Sequence, residues 1–400
     1  MPISIADRPV LRMTSELGRV MAAARAREAK GERVLHLERG EPDFETPQHI
    51  VEALAKAARD GHTHYPDQRG ELSLREALAV KLARENGIAA HVDDSVVVDG
   101  GTHGLFLAMQ ALLSSGDELL VLSPHWMAIP KLVGFAAGAT MRTLPAYLQL
   151  QSGAWSPAAF AEAVRAAITP STRGIYLNSP NNPTGVVLER AHLEVLAAVA
   201  IERDLFVLSD EAYEHLLFDG ASHVSIASLP GMAERTVSAY TLSKSYAMTG
   251  WRIGYVVSPP ALRQVMGPIL AFYTTHGVFP AAQIAAREAV AGSQACVEAM
   301  RSAYEERRRL LLTGLSGVRG VSVLVPRGAF YAFADVSGAR AGRDIWELID
   351  EWLSIGVAVL PGTAFGPEYA DWVRMSLATR AADIGEAARL ISAHRGAARR

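Results

Sequence analysis

The chain has 400 residues, of which half are hydrophobic and only 20% are charged, and this composition excludes an intrinsically disordered protein. Its 39 basic and 42 acidic residues leave a net charge of −3 without a basic block, so no nucleic-acid partner is expected. The single cysteine, Cys296, excludes an internal disulfide and a multi-cysteine zinc site, and it indicates a reducing compartment, most simply the cytoplasm.

No targeting or membrane-spanning segment is expected in this sequence. The N-terminal sequence MPISIADRPVLRMTSE lacks a long apolar run. Residues 264–286 contain no charged side chain, but glycines and prolines interrupt them, whereas a bilayer span needs about 20 predominantly apolar residues. We therefore predict that residues 264–286 are buried inside the protein.

Helix signals come first along the chain. Thr46 followed by Pro47 predicts the start of a helix that Gly61 closes, and a second helix is expected from about Leu72 to Gly87. From about residue 95 onward, short apolar runs alternate with helical patterns, which is typical of a parallel sheet covered by helices on both faces. The predicted strands are residues 95–98, 119–122, 139–144, 174–177, 205–208, 236–240 and 253–257.

The pattern changes after about residue 290. A long charged helix at about 294–315 is followed by two strands, a helix at about 345–353, strands at 357–360 and 373–377, and a last helix at about 382–394. The expected fold is therefore α/β, with a large domain over residues 45–290. A smaller α+β domain is expected from residues 1–44 and 291–400.

Polar residues follow the predicted strands at one edge of the sheet, where ligands bind in open parallel sheets. Gly100 and Gly101 end a strand and open a helix, so backbone N–H groups could hold a phosphate there, although an ordinary turn would look the same. Lys244 follows another strand and would be a nucleophile if it were buried, but a surface lysine is the common alternative. Asp210 could hold a cation or be a solvated loop carboxylate, and Arg252 could meet an anion or form a surface ion pair.

Other kinds of site find little support. The glycines do not form the GxGxxG pattern of a nucleotide-dependent dehydrogenase, and no GxxxxGK[ST] loop is present. His62 and His64 are spaced for one face of a strand, but further metal ligands are not evident nearby, so we interpret both as structural and expect no metal.

A set of motifs in a fixed order closely resembles the class I aminotransferases that use pyridoxal 5'-phosphate, and most of all the bacterial branch that includes aspartate aminotransferases. The resemblance covers nearly the whole chain. Its segments are GEPDF (40–44), HTHYPDQRG (62–70), NSPNNPTG (178–185), SDEAYEHLLFDG (209–220), SKSYAMTGWRIGY (243–255), PRGAFYAF (326–333), VLPGTAFGP (359–367) and VRMSLA (373–378).

This resemblance implies roles for individual residues. Lys244 would form the aldimine with the cofactor aldehyde and then act as the general base and acid. Asp210 would pair with the pyridinium nitrogen, Asn182 and Tyr213 would hydrogen-bond the ring oxygen, and Trp126 would stack on the ring. Contacts to the phosphate would come from the following residues: Gly101, Thr102, Thr241, Ser243 and Arg252.

The resemblance also implies how substrate and subunits meet. Arg374 would bind the substrate α-carboxylate through two hydrogen bonds, assisted by the backbone at Gly40, with Asn182 and Trp126 close by. Tyr65 would reach the phosphate of a neighbouring subunit, which implies a homodimer with shared active sites.

The implied reaction is ping-pong transamination between an L-amino acid and a 2-oxo acid. A carbon–sulfur β-lyase or another eliminase on the same fold is the alternative, and a regulator that uses such a domain as a ligand sensor is a third reading. The substrate pocket is expected to include residues near the N-terminus and the 273–279 turn, where Thr275 or His276 could take part. Aspartate, aromatic, neutral and basic donors all stay open, and Arg39 before Gly40 has no explanation at this stage.

Overall fold

The computed structural model of the chain describes residues 13–397, so the first twelve residues of the predicted smaller domain lie outside the described residues. The strands within this range follow in chain order: β1 (Leu35–His36), β2 (Ser95–Val98), β3 (Glu118–Ser123), β4 (Thr140–Pro145), β5 (Thr172–Asn178), β6 (Phe206–Asp210), β7 (Thr236–Thr241), β8 (Gly254–Val257), β9 (Ser322–Val323), β10 (Tyr331–Asp335), β11 (Val357–Ala358), β12 (Leu360–Pro361) and β13 (Trp372–Ser376).

The α-helices of the same range are α1 (Glu16–Glu28), α2 (Gln48–Arg59), α3 (Leu72–Lys81), α4 (Gly101–Leu112), α5 (Ile129–Ala137), α6 (Tyr147–Gln151), α7 (Pro157–Ala167), α8 (Arg190–Glu202), α9 (Leu242–Ser245), α10 (Pro260–Thr274), α11 (Pro280–Ala291), α12 (Ala295–Leu315), α13 (Ser337–Arg340), α14 (Ile345–Ser354) and α15 (Ala381–Ala397). Among these described helices, none combines the length and the apolar character that crossing a membrane requires.

Seven strands form the central sheet in the order β2-β8-β7-β6-β5-β3-β4. Only β8 runs against its neighbours, so the predicted α/β fold with a mostly parallel sheet is confirmed. The inner strands are buried along nearly their whole length, as strands covered on both faces should be. The same expectation is wrong for β4, which lies at the edge and alternates between exposed and half-buried residues.

The sheet register brings the polar strand ends together. Asn178 at the end of β5 lies beside Asp210 at the end of β6, and Asp210 lies beside Ala239 of β7. Lys244 is in α9, which begins directly after β7. Residues that are far apart in the sequence therefore meet at one edge of the sheet.

The two ends of the chain meet in a second region. β1 pairs in parallel with β11, and the antiparallel strands β12, β13, β10 and β9 form a four-stranded sheet. These strands share one hydrophobic core with α1, α12, α14 and α15. The predicted strand 357–360 is divided between the two sheets, because the chain changes partner after Ala358. The domain boundaries at residues 45 and 290 stay a prediction.

Two local predictions about helix ends have different outcomes. The second predicted helix ends as expected, because α3 continues as a π-helical turn (Leu82–Asn86) and Gly87 then takes a left-handed conformation. The predicted cap at Thr46 is wrong. Its hydroxyl donates a hydrogen bond to the carbonyl of Ala247 at 2.7 Å, and Pro47 precedes α2 without a side-chain cap.

Two other expectations are corrected by the structure. His62 and His64 lie in an exposed turn after α2, not on a strand. Residues 264–286 form the end of α10, a turn and the start of α11, and they are only partly buried. Phe272 is 86% exposed and Tyr273 and Phe279 are about half exposed, so an uncharged sequence here does not mean an interior position in this chain.

Candidate active site

A cavity of about 830 Å³ opens between the carboxyl edge of the central sheet and the second region. Every residue to which the resemblance assigns a role, except Tyr65, lies on its wall. These residues are Gly40, Gly101, Thr102, Trp126, Asn182, Asp210, Tyr213, Thr241, Ser243, Lys244, Arg252 and Arg374.

Asp210 is a buried carboxylate at the end of β6. Its Oδ2 accepts a hydrogen bond from the Tyr176 hydroxyl at 2.9 Å, and its Oδ1 accepts one from the backbone N–H of Ala212 at 3.3 Å. Burial raises the pKa of Asp210 to about 6, because a charged carboxylate loses its hydration there. Within residues 13–397 this carboxylate has no ion-pair partner at salt-bridge distance.

Lys244 faces Asp210 across the cavity from the short helix α9. Its Nζ donates a hydrogen bond to the carbonyl of Gly40 at 2.8 Å and lies 5.7 Å from the centre of the Phe330 ring. Burial lowers the pKa of Lys244 to about 8, with a smaller contribution in the same direction from Arg374 and Arg252. At pH 7, about a tenth of this amine is therefore uncharged and able to act as a nucleophile, far more than for a lysine with the ordinary pKa.

Several hydrogen-bond donors lie close together at the start of α4. Gly101 is the first residue of this twelve-residue helix, whose free N–H groups point toward the cavity end. A Cβ atom on Gly254 would lie 3.0 Å from the Gly101 nitrogen, so only glycine lets β8 approach this closely. Arg252 donates hydrogen bonds to the carbonyls of Thr249 and Asp99, and these contacts hold its guanidinium at the same place.

Two hydroxyl groups complete this donor set. Thr241 caps α9, since its side chain accepts a hydrogen bond from the backbone N–H of Ser243, and the two hydroxyls are 2.9 Å apart. A phosphate group would find helix N–H groups, hydroxyls and a guanidinium together here, which is the chemistry such an anion requires.

Arg374 supplies a second anion-binding group on the opposite wall. It lies on β13, is almost completely buried, and donates hydrogen bonds to Asn182 Oδ1 and to the carbonyl of Glu38. Its guanidinium carbon is 4.3 Å from the centre of the Tyr331 ring. Burial lowers its pKa, yet no carboxylate neutralises it at salt-bridge distance within the described chain.

Several wall residues were not identified from the sequence. Tyr331 shares a hydrogen bond with Tyr213 at 3.1 Å between the two hydroxyls, and a Cβ atom on Gly40 would lie 2.6 Å from its oxygen. The signal for it was available, because Tyr331 belongs to the PRGAFYAF segment of the resemblance. The other unidentified side chains on the wall are Leu17, Met21, Arg25, Arg39, Glu41, Leu105, Met127, Ala128, Asn178, Ala212 and Thr249.

Two predicted contributors lie elsewhere. Tyr65 is 75% exposed, and its ring packs on that of His276 with the centres 4.6 Å apart. The 273–279 turn does not line the cavity of its own chain, so its predicted part in the substrate pocket is not seen within one chain. The expected contribution from near the N-terminus is present, because α1 supplies three wall residues.

The residues fit pyridoxal phosphate at three separate points. The start of α4 offers donors for a dianion, Lys244 offers a partly uncharged amine for an aldehyde, and Asp210 offers a carboxylate without a cation for a protonated ring nitrogen. Each of these features would be costly or unnecessary without such a ligand, since isolated buried charges lose hydration.

Comparison with known proteins agrees with this fit. The family model "Aminotransferase class I and II" matches residues 32–391. The chain is 41% identical over 365 residues to the aspartate/prephenate aminotransferase of Thermus thermophilus, and the match covers 90% of each chain. It is also 41% identical over 371 residues to arginine–pyruvate transaminase AruH of Pseudomonas aeruginosa, with 92% of each chain covered.

Solved structures show the same relationship. An aspartate aminotransferase of Thermus thermophilus with maleate superposes with a TM-score of 0.88 at 37% identity, covering 98% of this chain and 100% of the other. An aromatic aminotransferase of Pyrococcus horikoshii gives 0.86 at 35% identity, covering 94% and 99%. The chain therefore belongs to the class I and II aminotransferase family and is a transaminase that depends on pyridoxal 5'-phosphate.

Proposed function

We propose that Lys244 is the residue that binds the cofactor covalently and then moves the proton in a ping-pong transfer of an amino group to a 2-oxo acid. The observation that carries this proposal is the position of its amine. Nζ lies at the cavity wall beside Gly40, with a pKa near 8, between the buried carboxylate of Asp210 and the buried guanidinium of Arg374.

Asp210, Arg374 and Lys244 have separate roles in the proposed reaction. When bound, the cofactor supplies an electron-poor ring that accepts the electron pair left on the substrate Cα after proton removal. Asp210 pairs with the ring nitrogen and keeps it protonated. Arg374 binds the substrate α-carboxylate and turns the Cα–H bond toward Lys244, whose amine accepts that proton and later returns it.

The remaining polar residues position the cofactor. The start of α4 with Thr102, Thr241, Ser243 and Arg252 holds the phosphate. Asn182 and Tyr213 hydrogen-bond the ring oxygen, and Trp126 covers one face of the ring, since all three line the same cavity. A carbon–sulfur β-lyase is not favoured, because the relatives named above are aminotransferases.

The amino donor is proposed to carry a bulky uncharged side chain. Apart from the groups already assigned, the cavity wall is largely apolar, with Leu17 and Met21 of α1, Leu105 of α4, and Met127. A charged side chain would lose hydration against these atoms. Arg25 and Arg39 lie at the exposed rim, so an acidic donor that reaches them is the competing candidate.

The protein is further proposed to act as a cytoplasmic homodimer. Exposed aromatic side chains are concentrated in and around residues 272–279: the Phe272 ring packs on that of Tyr273, the Tyr65 ring packs on that of His276, and Phe279 is about half exposed. Exposed apolar patches of this kind mark interfaces, and a second copy would cover them. Tyr65 would then reach the phosphate of its partner. The single Cys296 supports a reducing compartment.

Replacing Lys244 with alanine tests the assigned chemistry. We expect Lys244→Ala to lose at least about a thousandfold in turnover, because general acid–base catalysis and covalent binding are both removed. Lys56→Ala, at an exposed position on α2, is the control and should retain wild-type turnover. With wild-type enzyme and one amino acid other than alanine, the half-reaction should form pyridoxamine phosphate and the 2-oxo acid of that donor, without pyruvate or ammonia. Release of both products would support elimination, and an active Lys244→Ala would refute the lysine's role.

A panel of amino donors tests the apolar pocket. With pyruvate and 2-oxoglutarate as acceptors, phenylalanine, leucine and methionine should give a higher kcat/KM than aspartate or arginine. Met21→Glu should lower kcat/KM for the apolar donors by about tenfold or more, because it places a charge on the apolar wall. Ala26→Glu, on the exposed side of α1, is the control and should change it little. A preference for aspartate in the wild-type enzyme would contradict the proposed pocket.

Disrupting the aromatic surface tests the dimer. Phe272→Asp should shift the protein to a monomer in sedimentation velocity and lower its activity, since Tyr65 would no longer reach a second site. Ile201→Asp alters another exposed apolar residue, on α8, and should leave a dimer. A wild-type protein that sediments as a monomer at micromolar concentration would contradict the homodimer.

A further inference from the structure

A buried tyrosine behind the active site contacts Asp210 directly. Tyr176 lies on β5, is 1% exposed, and donates its hydroxyl hydrogen to Asp210 Oδ2 at 2.9 Å. It does not line the cavity and precedes the NSPNNPTG segment by two residues, so none of the motifs that identify the family includes it.

Strand register places this hydroxyl beside the carboxylate. Tyr176 lies beside Leu208, and Asn178 lies beside Asp210, so Tyr176 is diagonally adjacent to Asp210 across two parallel strands. A long aromatic side chain spans this diagonal distance. The ring belongs to a packed cluster that contains Leu208 and Val237, so its hydroxyl has little freedom to point elsewhere.

The surroundings of the Asp210 carboxylate make this contact important. Its other side-chain hydrogen bond comes from the backbone N–H of Ala212, at the longer distance of 3.3 Å. Titratable groups also lie near it: Glu211 follows it in the chain and disfavours its charge, while Lys244 across the cavity favours it. Within the described chain, Tyr176 is the side chain that donates a hydrogen bond to the Asp210 carboxylate, whereas the Asn178 amide donates to the backbone carbonyl of Asp210.

We propose that Tyr176 is a positioning residue that keeps Asp210 ionised and directs its free lone pairs toward the ring nitrogen of the cofactor. This inference rests on the proposed role of Asp210. A phenol that donates to a carboxylate stabilises the charged form over the protonated one. The ion pair between Asp210 and a protonated ring nitrogen is then favoured over the neutral pair, in which Asp210 has taken the proton.

A neutral donor suits this position better than a cation would. An arginine or lysine in place of Tyr176 would neutralise Asp210 and compete with the ring nitrogen for it. Burial and the nearby carboxylate hold the pKa of Tyr176 well above its usual value, so this phenol stays a donor throughout the working pH range.

Tyr176→Phe removes the hydroxyl and keeps the ring. We expect it to weaken pyridoxal phosphate binding to the apoprotein and to lower kcat, each by about tenfold, as the loss of one hydrogen bond to a charged group would do. KM for the amino donor should change little, because Arg374 is untouched. The pH midpoint of the visible absorbance of the holoenzyme should rise, because a less cationic ring withdraws fewer electrons from its bond to Lys244.

Tyr147→Phe is the matched control. Tyr147 is an equally buried tyrosine on α6 whose hydroxyl contacts the backbone N–H and C=O of Asn178, both at 2.8 Å, and it does not touch the Asp210 carboxylate. Its loss should affect stability without moving the absorbance midpoint. If Tyr176→Phe and Tyr147→Phe behave alike in cofactor affinity and midpoint, Tyr176 has only a structural role and the proposal is overturned.

Combining Tyr176→Phe with Asp210→Asn separates the role proposed for Tyr176 from the role proposed for Asp210. If Tyr176 acts through Asp210, the tenfold effects of Tyr176→Phe should disappear in the Asp210→Asn background. If Asp210→Asn alone leaves cofactor affinity unchanged, the role proposed for Asp210 fails first. Should Tyr176→Phe not fold, Tyr176→His keeps a donor that Tyr176→Leu lacks. Tighter cofactor binding by the histidine variant supports the inference, and equal binding overturns it.

Discussion

The active site depends on a charge that the protein buries without a cation beside it. Asp210 ends β6 at the carboxyl edge of the central sheet, and within residues 13–397 its carboxylate receives hydrogen bonds only from the Tyr176 hydroxyl and the backbone N–H of Ala212. Burial raises its pKa from 3.8 to about 6 even with these hydrogen bonds in place, so the charged form is disfavoured by a net amount of about 3 kcal/mol. In the proposed arrangement, a protonated ring nitrogen of the cofactor offsets this cost, and cofactor binding then stabilises the cationic ring that the chemistry requires.

Two regions of the fold cooperate around that charge. The central sheet places Asp210, Lys244 and the start of α4 along one edge, because the carboxyl ends of its parallel strands coincide. The second region brings Arg374 and Tyr331 to the opposite wall on the antiparallel strands β13 and β10. The cavity therefore lies between two separately cored regions, and the amine of Lys244 lies between a carboxylate and a guanidinium.

The sequence alone predicts those site residues that directly follow a strand. Asp210, Lys244 and Gly101 come directly after strands, and parallel strands bring such positions together without further information. The pocket was expected to include residues near the N-terminus, but Leu17, Met21 and Arg39 were not assigned to it individually. Their position depends on how α1 and the segment after β1 cross the cavity, and the spacing of residues in the sequence does not determine that crossing. The structure also gives a reason for an arginine at position 39. Its guanidinium lies 3.2 Å from His36 Nε2 and 3.5 Å from Oε1 of the buried Glu38. The burial predicted for residues 264–286 is wrong because an uncharged composition does not distinguish a buried segment from an exposed one.

The protonation state of the bound ring nitrogen shows most directly whether Asp210 pairs with a cationic ring. The holoenzyme can be prepared with pyridoxal phosphate labelled with nitrogen-15 in the ring and studied by NMR at neutral pH. We expect a protonated ring nitrogen in the wild-type protein and a largely unprotonated one in Asp210→Asn, because the amide of that variant cannot carry the balancing charge. An unprotonated ring nitrogen in the wild-type holoenzyme would contradict this expectation, because the buried carboxylate would then have no charged partner.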